Sequence, residues 1–242
     1  MTLALKDLLS RFKENILDIL FPKICVGCGK EGKFLCADCG VKIKLSDKFI
    51  CLNCGEPSIF GKTCAKCRDA VALDGALAAT EYGNPIVRQA VYDWKYGLVK
   101  EMGEALGGLF LHYLERHKTI FAAFDRPLIL PIPLYKKRRL SRGFNQADKL
   151  AEIISKFFRY ERAEILVRTK QTIPQSELEG EERQKNMAGV FSLLQGAKEK
   201  ISGRAVILVD DIYTSGATMN ECAKLLKAAG AKEVWGVTLA RG

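Results

Sequence analysis

Eight of the nine cysteines in this chain of 242 residues fall in four C-x-x-C pairs, Cys25/Cys28, Cys36/Cys39, Cys51/Cys54 and Cys64/Cys67. The two-residue gap lets both sulfurs of a pair face one ion, and two pairs complete a tetrahedral thiolate site of the kind that Zn²⁺ prefers. Disulfides belong to exported chains, whereas the first residues here lack a signal-peptide cleavage site, and redox dithiols rarely come as four regular pairs. We therefore predict structural zinc, which holds a short segment folded and takes no part in catalysis.

Spacing alone leaves open which pairs share an ion. Sequential pairing would give two tandem ribbons with one zinc each, and interleaved pairing would give a single cross-braced unit. We favour the tandem ribbons because the two halves, "CVGCGKEGKFLCADC" and "CLNCGEPSIFGKTCAKC", read as a repeat. Gly29 and Gly55 follow the first pair of each half, where a tight turn is required.

Beyond residue 70 the sequence alternates strand-like and helix-like segments. Apolar stretches such as "PLILPIP", "AEILVR", "AGVFSL", "RAVILVD" and "KEVWGVTLA" are separated by amphipathic ones such as "FNQADKLAEIISKFF". This alternation predicts an α/β domain with a largely parallel sheet that helices cover on both faces. We expect an amphipathic N-terminal helix over 1–22, a cysteine-rich double zinc ribbon over 23–70 and the α/β domain over 71–242.

The N-terminal helix prediction depends on an apolar stripe at helical spacing that ends before Phe21 and Pro22. We favour packing of this helix on its own protein, with docking to a partner or a membrane surface as the alternative. No apolar run reaches the roughly 20 residues of a membrane helix. We expect a cytoplasmic protein without a transmembrane segment, which partners could bring to the inner face of the membrane.

The stretch "AVILVDDIYTSGAT" (205–218) runs from the most apolar strand into two adjacent acids, Asp210 and Asp211, and then into a loop of small and hydroxyl residues. Such a loop at the start of a helix can surround a phosphate with backbone N–H groups. It is not a Walker loop, because no G-x-x-x-x-G-K-[ST] occurs in the chain. The two carboxylates suit sugar hydroxyls or a hydrated divalent cation. The stretch predicts a ribose 5-phosphate site, with the acids on the ribose and the phosphate held by Thr214, Ser215, Gly216, Ala217 and Thr218.

This stretch resembles the phosphoribosyl pyrophosphate (PRPP) motif of type I phosphoribosyltransferases. The resemblance implies that Asp210 and Asp211 contact the ribose hydroxyls, that the loop 214–218 holds the 5-phosphate, and that Mg²⁺ bridges ribose and pyrophosphate. Two other stretches, "LPIPLYKKRRLSRGFNQADKLA" and "RTKQTIPQSELEGEERQKNMAGVF", are similar to signatures of the ComF family of competence proteins, which shares the cysteine-pair front end. The resemblance covers nearly the whole chain. It implies a role in natural transformation, on incoming single-stranded DNA, with a helicase-like ATPase and a DNA-processing protein as partners.

The net charge of +10 is concentrated between residues 85 and 170, which indicates either an anionic partner there or a solvated basic face. The segment "KKRRLSRG" is predicted as a loop at a strand's carboxyl end. Its Arg138, Arg139 and Arg142 fit the phosphates of a pyrophosphate and of DNA equally well. In "VYDWKYG" the aromatic residues either stack the bases of a single strand or pack in the core, and we favour packing.

Two functions are compatible with these features. In the first, the chain binds PRPP with Mg²⁺ and single-stranded DNA and acts in DNA uptake with protein partners, so that PRPP is a regulatory ligand or a relic. In the second, it transfers phosphoribose from PRPP to an acceptor while pyrophosphate departs on Mg²⁺ and arginines. No residue stands out as an acceptor base or a nucleobase pocket. We therefore favour the first function and leave catalytic residues unassigned.

Overall fold

The computed structural model describes residues 22–97, 100–172, 187 and 189–242. Apart from its last residue, the predicted N-terminal helix lies outside these ranges. In the cysteine-rich part, helix α1 (Ala37–Gly40) begins directly after Cys36, and helix α2 (Ala65–Arg68) begins directly after Cys64. A 3-10 turn (Ile59–Gly61) lies between them.

The α/β part contains five strands in one parallel sheet, in the order β1-β7-β6-β2-β3. This architecture confirms the predicted fold class. In chain order its elements are β1 (Gly75–Glu81), α3 (Pro85–Tyr96), α4 (Lys100–Arg116), α5 (Lys118–Ala122), β2 (Leu128–Pro131), α6 (Lys136–Arg142), α7 (Gln146–Phe158), β3 (Glu161–Arg162), β4 (Leu166–Arg168), β5 (Phe191–Leu193), α8 (Ala197–Ile201), β6 (Ala205–Tyr213), α9 (Ala217–Ala228) and β7 (Glu233–Arg241).

Helices cover both faces of the sheet, and the alternation along β6 shows how the faces divide. Ile207 and Val209 pack with helices α3, α4 and α7, whereas Val206 and Leu208 pack with α8, α9 and the strands β4 and β5. Because side chains alternate along a strand, Asp211 points toward the face covered by α3, α4 and α7, and Asp210 points toward the face covered by α8 and α9.

Two expectations about local structure are wrong. The basic segment predicted as a loop forms helix α6, which ends at Gly143 in the left-handed conformation (φ 74°). Lys, Arg and Leu are good helix formers, so this segment needs only a terminating glycine to become a helix. The stretches "AEILVR" and "AGVFSL" do form strands, but β4 and β5 pair with each other in a separate antiparallel sheet.

The carboxyl ends of parallel strands meet at one edge of a sheet, and two neighbouring strands end in the segments of interest. Strand β6 leads through residues 214–216 into α9, so the last two residues of the predicted loop 214–218 form the start of that helix. The adjacent strand β2 leads into α6. The acid pair, the predicted phosphate loop and the basic helix therefore share this edge, where ligands of open α/β sheets bind.

Candidate functional site

The cysteines form two clusters of four, and the sulfur atoms in each lie within 4.8 Å of one another. The first unites the pairs at 25/28 and 36/39, and the second unites those at 51/54 and 64/67. A tetrahedral ion with Zn–S bonds of about 2.3 Å separates its sulfurs by about 3.8 Å. Cys28 Sγ lies 3.7 Å from Cys36 Sγ, and Cys54 Sγ lies 3.6 Å from Cys64 Sγ. All nine cysteines are free thiols, so both clusters fit structural zinc in the tandem arrangement.

Both clusters are built on the same turn. The N–H of Gly29 donates to the carbonyl of Cys25, and the N–H of Gly55 donates to that of Cys51, each at 2.8 Å. Both glycines have a left-handed φ, 74° and 79°, which a side chain would strain. The repeat seen in the sequence is therefore a repeat of backbone geometry.

The protonation of these thiols also points to a cation. Burial raises the pKa of Cys25, but N–H groups of the backbone outweigh it and lower the value to about 6. Burial and the neighbouring sulfurs raise the pKa of Cys39 to about 12. Four thiolates therefore cannot coexist in this cluster unless a cation neutralises their repulsion, as a bound zinc ion would.

Asp211 is held by a lysine from another element. Its Oδ2 lies 2.9 Å from Nζ of Lys95, and their side chains are only 11% and 17% exposed. Lys95 is in the last turn of α3. The ion pair therefore joins the end of that helix to the carboxyl end of β6.

Asp210 lies in a different environment on the opposite face of the sheet. Burial, together with the charge of Asp211, raises its pKa to about 7. Arg168, at the end of β4, acts electrostatically on Asp210 in the opposite direction. Burial and the nearby charge of Arg138 lower the pKa of Arg168, whose buried Nε has no hydrogen-bond partner among the described residues. Such an unpaired donor is unusual in a folded chain and fits an anion bound at this place.

The loop after the acid pair leads directly into the N-terminus of helix α9. Gly216 caps helix α9 in the left-handed conformation (φ 71°). The hydroxyl of Ser215 accepts from the N–H of Ala217 at 3.4 Å. Thr214 and Ser215 are exposed, whereas Thr218 is half-buried. Backbone N–H groups and hydroxyls are thus concentrated in the loop, as phosphate binding requires.

Tyr213 connects this loop with the second ribbon. Its hydroxyl donates to Oδ1 of Asn53 at 2.7 Å, and Asn53 lies between Cys51 and Cys54. A Cβ on Gly216 would lie 2.2 Å from the same hydroxyl oxygen, so only glycine fits here. Burial, followed by the charges of Cys51 and Cys67, raises the pKa of Tyr213, which keeps the hydroxyl protonated as a donor.

The three arginines assigned to phosphate have different surroundings. Arg142 is buried, and its guanidinium donates to Oε1 of Gln146 at 3.2 Å and to the hydroxyl of Tyr96 at 3.3 Å. Arg139 lies 3.8 Å from a carboxylate oxygen of Glu164 at the surface. The charge of Arg138 acts on Arg168 and lowers its pKa. The guanidinium of Arg142 is therefore engaged within the fold, and that of Arg139 lies near a surface carboxylate.

The aromatic residues near Lys95 separate into two groups. Trp94 is buried, so the favoured core-packing prediction is confirmed for it and is wrong for the two tyrosines. Tyr92 and Tyr96 are 55% and 60% exposed, with ring centroids 5.0 Å apart. The Arg142 guanidinium lies 5.0 Å from the ring centroid of Tyr96, so this exposed pair adjoins the basic helix α6.

The sequence patterns predict no site role for Lys95 or Arg168. Lys95 lies in the aromatic stretch "VYDWKYG", and Arg168 opens the second stretch that is similar to the ComF signatures. The sequence does show a basic residue at the end of a helix or strand in an α/β pattern. It does not show which strand end that residue contacts, because the contact depends on the topology of the sheet and not on residue spacing.

Comparisons with known proteins agree with this geometry. Residues 140–242 match the family described as "Phosphoribosyl transferase domain", and residues 16–77 match the "Double zinc ribbon domain". Competence protein F of Haemophilus influenzae is 29% identical over 230 residues, which cover 89% of this chain and 96% of that protein. DNA utilization protein YhgH of Escherichia coli K12 is 29% identical, over 83% of this chain and 88% of its own length. Competence protein ComFC of Bacillus subtilis is 28% identical, over 88% and 86%.

The solved structure of an allosteric regulatory enzyme of purine biosynthesis aligns with 57% of this chain and 26% of its own at 15% identity. Its TM-score of 0.38 is too low to support a conclusion. Within the described ranges no helix is both long and apolar enough to cross a bilayer. In this chain a double zinc ribbon is followed by a phosphoribosyltransferase domain, and the matches span most of the length of each relative. The chain therefore belongs to the ComF/YhgH family of competence proteins.

Proposed function

We propose that this protein binds PRPP together with Mg²⁺ at the carboxyl end of β6, and single-stranded DNA on the adjoining basic surface. The observation that carries the PRPP proposal is the combination of the acid pair with a left-handed Gly216 that opens helix α9. Carboxylates, hydroxyls and the backbone N–H groups of a helix N-terminus match the hydroxyls and the phosphate of a ribose 5-phosphate.

Each part of the site has a role in this proposal. The loop 214–218 holds the 5-phosphate, and Asp210 and Asp211 accept hydrogen bonds from the ribose hydroxyls. Arg168, whose charge acts on Asp210, suits the pyrophosphate. Mg²⁺, which by the family resemblance would bridge the ribose and the pyrophosphate, would supply the positive charge that lets the acid pair and the pyrophosphate share one site.

The DNA proposal depends on the surface formed by helix α6 and the tyrosine pair. Lys136, Lys137, Arg138 and Arg139 can contact backbone phosphates, while the exposed rings of Tyr92 and Tyr96 offer a stacking platform for bases. Arg142 would support this surface from below through its contact with Tyr96. The relatives named for competence and DNA utilization support a role in DNA uptake, in which the partners would be a helicase-like ATPase and a DNA-processing protein.

An active phosphoribosyltransferase is the alternative, and one observation favours it. A carboxyl with a pKa near 7, as at Asp210, can take up or release a proton at neutral pH, which acceptor activation requires.

The ribbon over 23–70 and the α/β domain over 71–242 remain our proposed division of the chain.

The PRPP proposal is tested by calorimetric titration of PRPP into zinc-loaded protein with Mg²⁺. We expect saturable binding that Asp211→Asn and Gly216→Val each weaken at least tenfold, while Glu115→Gln on the exposed side of α4 has no effect. Equal binding by all variants would refute the site. Pyrophosphate release in the presence of DNA or nucleobases then separates the two functions, because turnover that needs an acceptor and is lost in Asp210→Ala would establish the enzyme.

The DNA proposal is tested by the affinity for a single-stranded oligonucleotide at several salt concentrations. Each phosphate contact adds to the slope of log affinity against log salt, so Arg138→Ala with Arg139→Ala should make that slope shallower. Tyr92→Ala with Tyr96→Ala should weaken binding without changing the slope. Lys198→Ala with Lys200→Ala, on helix α8, serves as the matched loss of charge. An unchanged affinity in the first two variants would refute the proposed surface.

A further inference from the structure

The two ribbons contact different parts of the α/β domain. In the first, Val26, Phe34 and Leu35 pack against the cluster of buried side chains that includes Trp94, on the side of helices α3 and α4. In the second, Leu52 packs against the opposite cluster, which includes Ala217 and Met219 of helix α9. The second ribbon thus lies on the side of the sheet to which the predicted phosphate loop belongs.

A short chain of contacts leads from a cysteine of the second ribbon to the loop. The amide of Asn53 has its Nδ2 4.0 Å from Sγ of Cys51, and its Oδ1 accepts the hydroxyl of Tyr213 at 2.7 Å. That hydroxyl occupies the space that a side chain at Gly216 would need. The position of Tyr213 therefore fixes the left-handed turn at Gly216, from which helix α9 starts.

A second contact joins the segment directly after the second ribbon to the first turn of α9. The backbone N–H of Ala72 donates to Oδ1 of Asn220 at 2.6 Å, and the N–H of Asn220 donates to the carbonyl of Gly216 at 2.8 Å. One hydrogen bond from the second ribbon and one from the segment that follows it thus converge on the same turn.

We propose that Asn53 and Tyr213 are positioning residues for the phosphate loop, and that metal in the second ribbon, but not in the first, is linked to phosphate binding. Metal in the second cluster orders the turn between Cys51 and Cys54, and with it the amide of Asn53. That amide holds Tyr213 against Gly216, which aims the N–H groups of the loop. The link to phosphate rests on the proposed PRPP function, whereas the ordering of the loop does not depend on it.

The first test removes single hydrogen-bonding groups. Tyr213→Phe keeps the ring beside Gly216 and deletes only the hydroxyl, while Asn53→Ala deletes the acceptor. Tyr160→Phe is the control, because it removes the hydroxyl of a half-buried tyrosine that donates at the same distance, 2.7 Å, to a remote carbonyl. Hydrogen exchange of the amides of 214–218 is measured without ligand, and PRPP affinity by titration with Mg²⁺.

We expect Tyr213→Phe and Asn53→Ala to accelerate exchange in 214–218 and to weaken PRPP binding by about three- to tenfold, the usual effect of one hydrogen bond. The double variant should lose no more than either single variant, because both remove the same contact. Tyr160→Phe should leave both readouts unchanged. Exchange and affinity equal to those of the unaltered protein in both site variants would overturn the proposal.

The second test compares the two ribbons. Cys54→Ser and Cys28→Ser each remove an exposed ligand from one cluster, and the zinc content of each variant is measured. We expect Cys54→Ser to accelerate exchange in 214–218 and to weaken PRPP binding more strongly than Cys28→Ser does. Equal effects of the two substitutions would refute the selective link. Should the unaltered protein fail to bind PRPP, the proposed function fails, and ligand-free exchange still decides whether the second ribbon orders the loop.

Discussion

Lys95 and Asp211 form a largely buried ion pair, so the loss of one partner leaves a carboxylate without compensation inside the fold. Breaking a buried pair from one side costs roughly 3–5 kcal/mol. Because the two side chains retain 17% and 11% exposure, we expect Lys95→Met to lower the free energy of unfolding by about 3 kcal/mol, at the lower end of that range. Met preserves most of the apolar stem, so the loss reports on the charge.

Urea denaturation of zinc-saturated protein, followed by the fluorescence of buried Trp94 and Trp235, measures this loss. Asp211→Asn in the Lys95→Met background should recover part of it, and the double-mutant cycle should give a coupling above about 1 kcal/mol. Lys149→Met serves as the control, because its pair with Glu152 is exposed and should be worth less than about 0.5 kcal/mol. A loss under about 1 kcal/mol with no measurable coupling would mean that solvent screens the pair, and our reasoning would be wrong.

Three other substitutions test features of the same edge of the sheet. Burial raises the pKa of Asp210 from 3.8 to about 7, so the folded state loses stability as the pH rises through that interval. Asp210→Asn should remove this loss. Urea midpoints between pH 5 and pH 8 should therefore show that the variant is more stable than the unaltered protein. Arg142→Ala should lower stability by about 2 kcal/mol because it deletes buried hydrogen bonds, one of them to Tyr96, and an unchanged melting temperature would contradict that role. Gly216→Ala should lower the free energy of unfolding by more than about 1 kcal/mol, because φ is 71° and the new methyl would clash with the Tyr213 hydroxyl. A melting temperature equal to that of the unaltered protein would contradict the described turn.

The parts of the site that could be predicted are those whose residues are close together in the chain. Asp210 and Asp211 lie near the end of β6, and the predicted phosphate loop follows directly. Each ribbon takes all four cysteines from one short segment. Local spacing is enough for such constellations, since a C-x-x-C turn or a strand-loop-helix carries its own geometry.

The contacts that could not be predicted join residues far apart in the sequence. Asn53 and Tyr213 are separated by 160 positions, and Lys95 meets Asp211 only because α3 packs on the face toward which that acid points. Strand order and the face of each helix decide such pairs, and no local pattern specifies them. The loop prediction for 136–142 is wrong for a different reason. The many basic residues of this segment suggest a ligand-binding loop, whereas their helix propensity favours a helix that Gly143 terminates.

The position of strand β7 has a consequence for how the protein folds. Among the described strands, β1 pairs with β7 alone, and β7 in turn pairs with β6, so β1 joins the sheet through a strand formed 160 positions later. During synthesis the cysteine clusters can fold as soon as metal reaches them, whereas β1 must wait, with an unpaired edge, until β7 leaves the ribosome. Contacts of such long sequence separation form slowly, and an exposed edge strand invites association. A zinc-bound ribbon that folds early would keep the start of the chain compact during this interval.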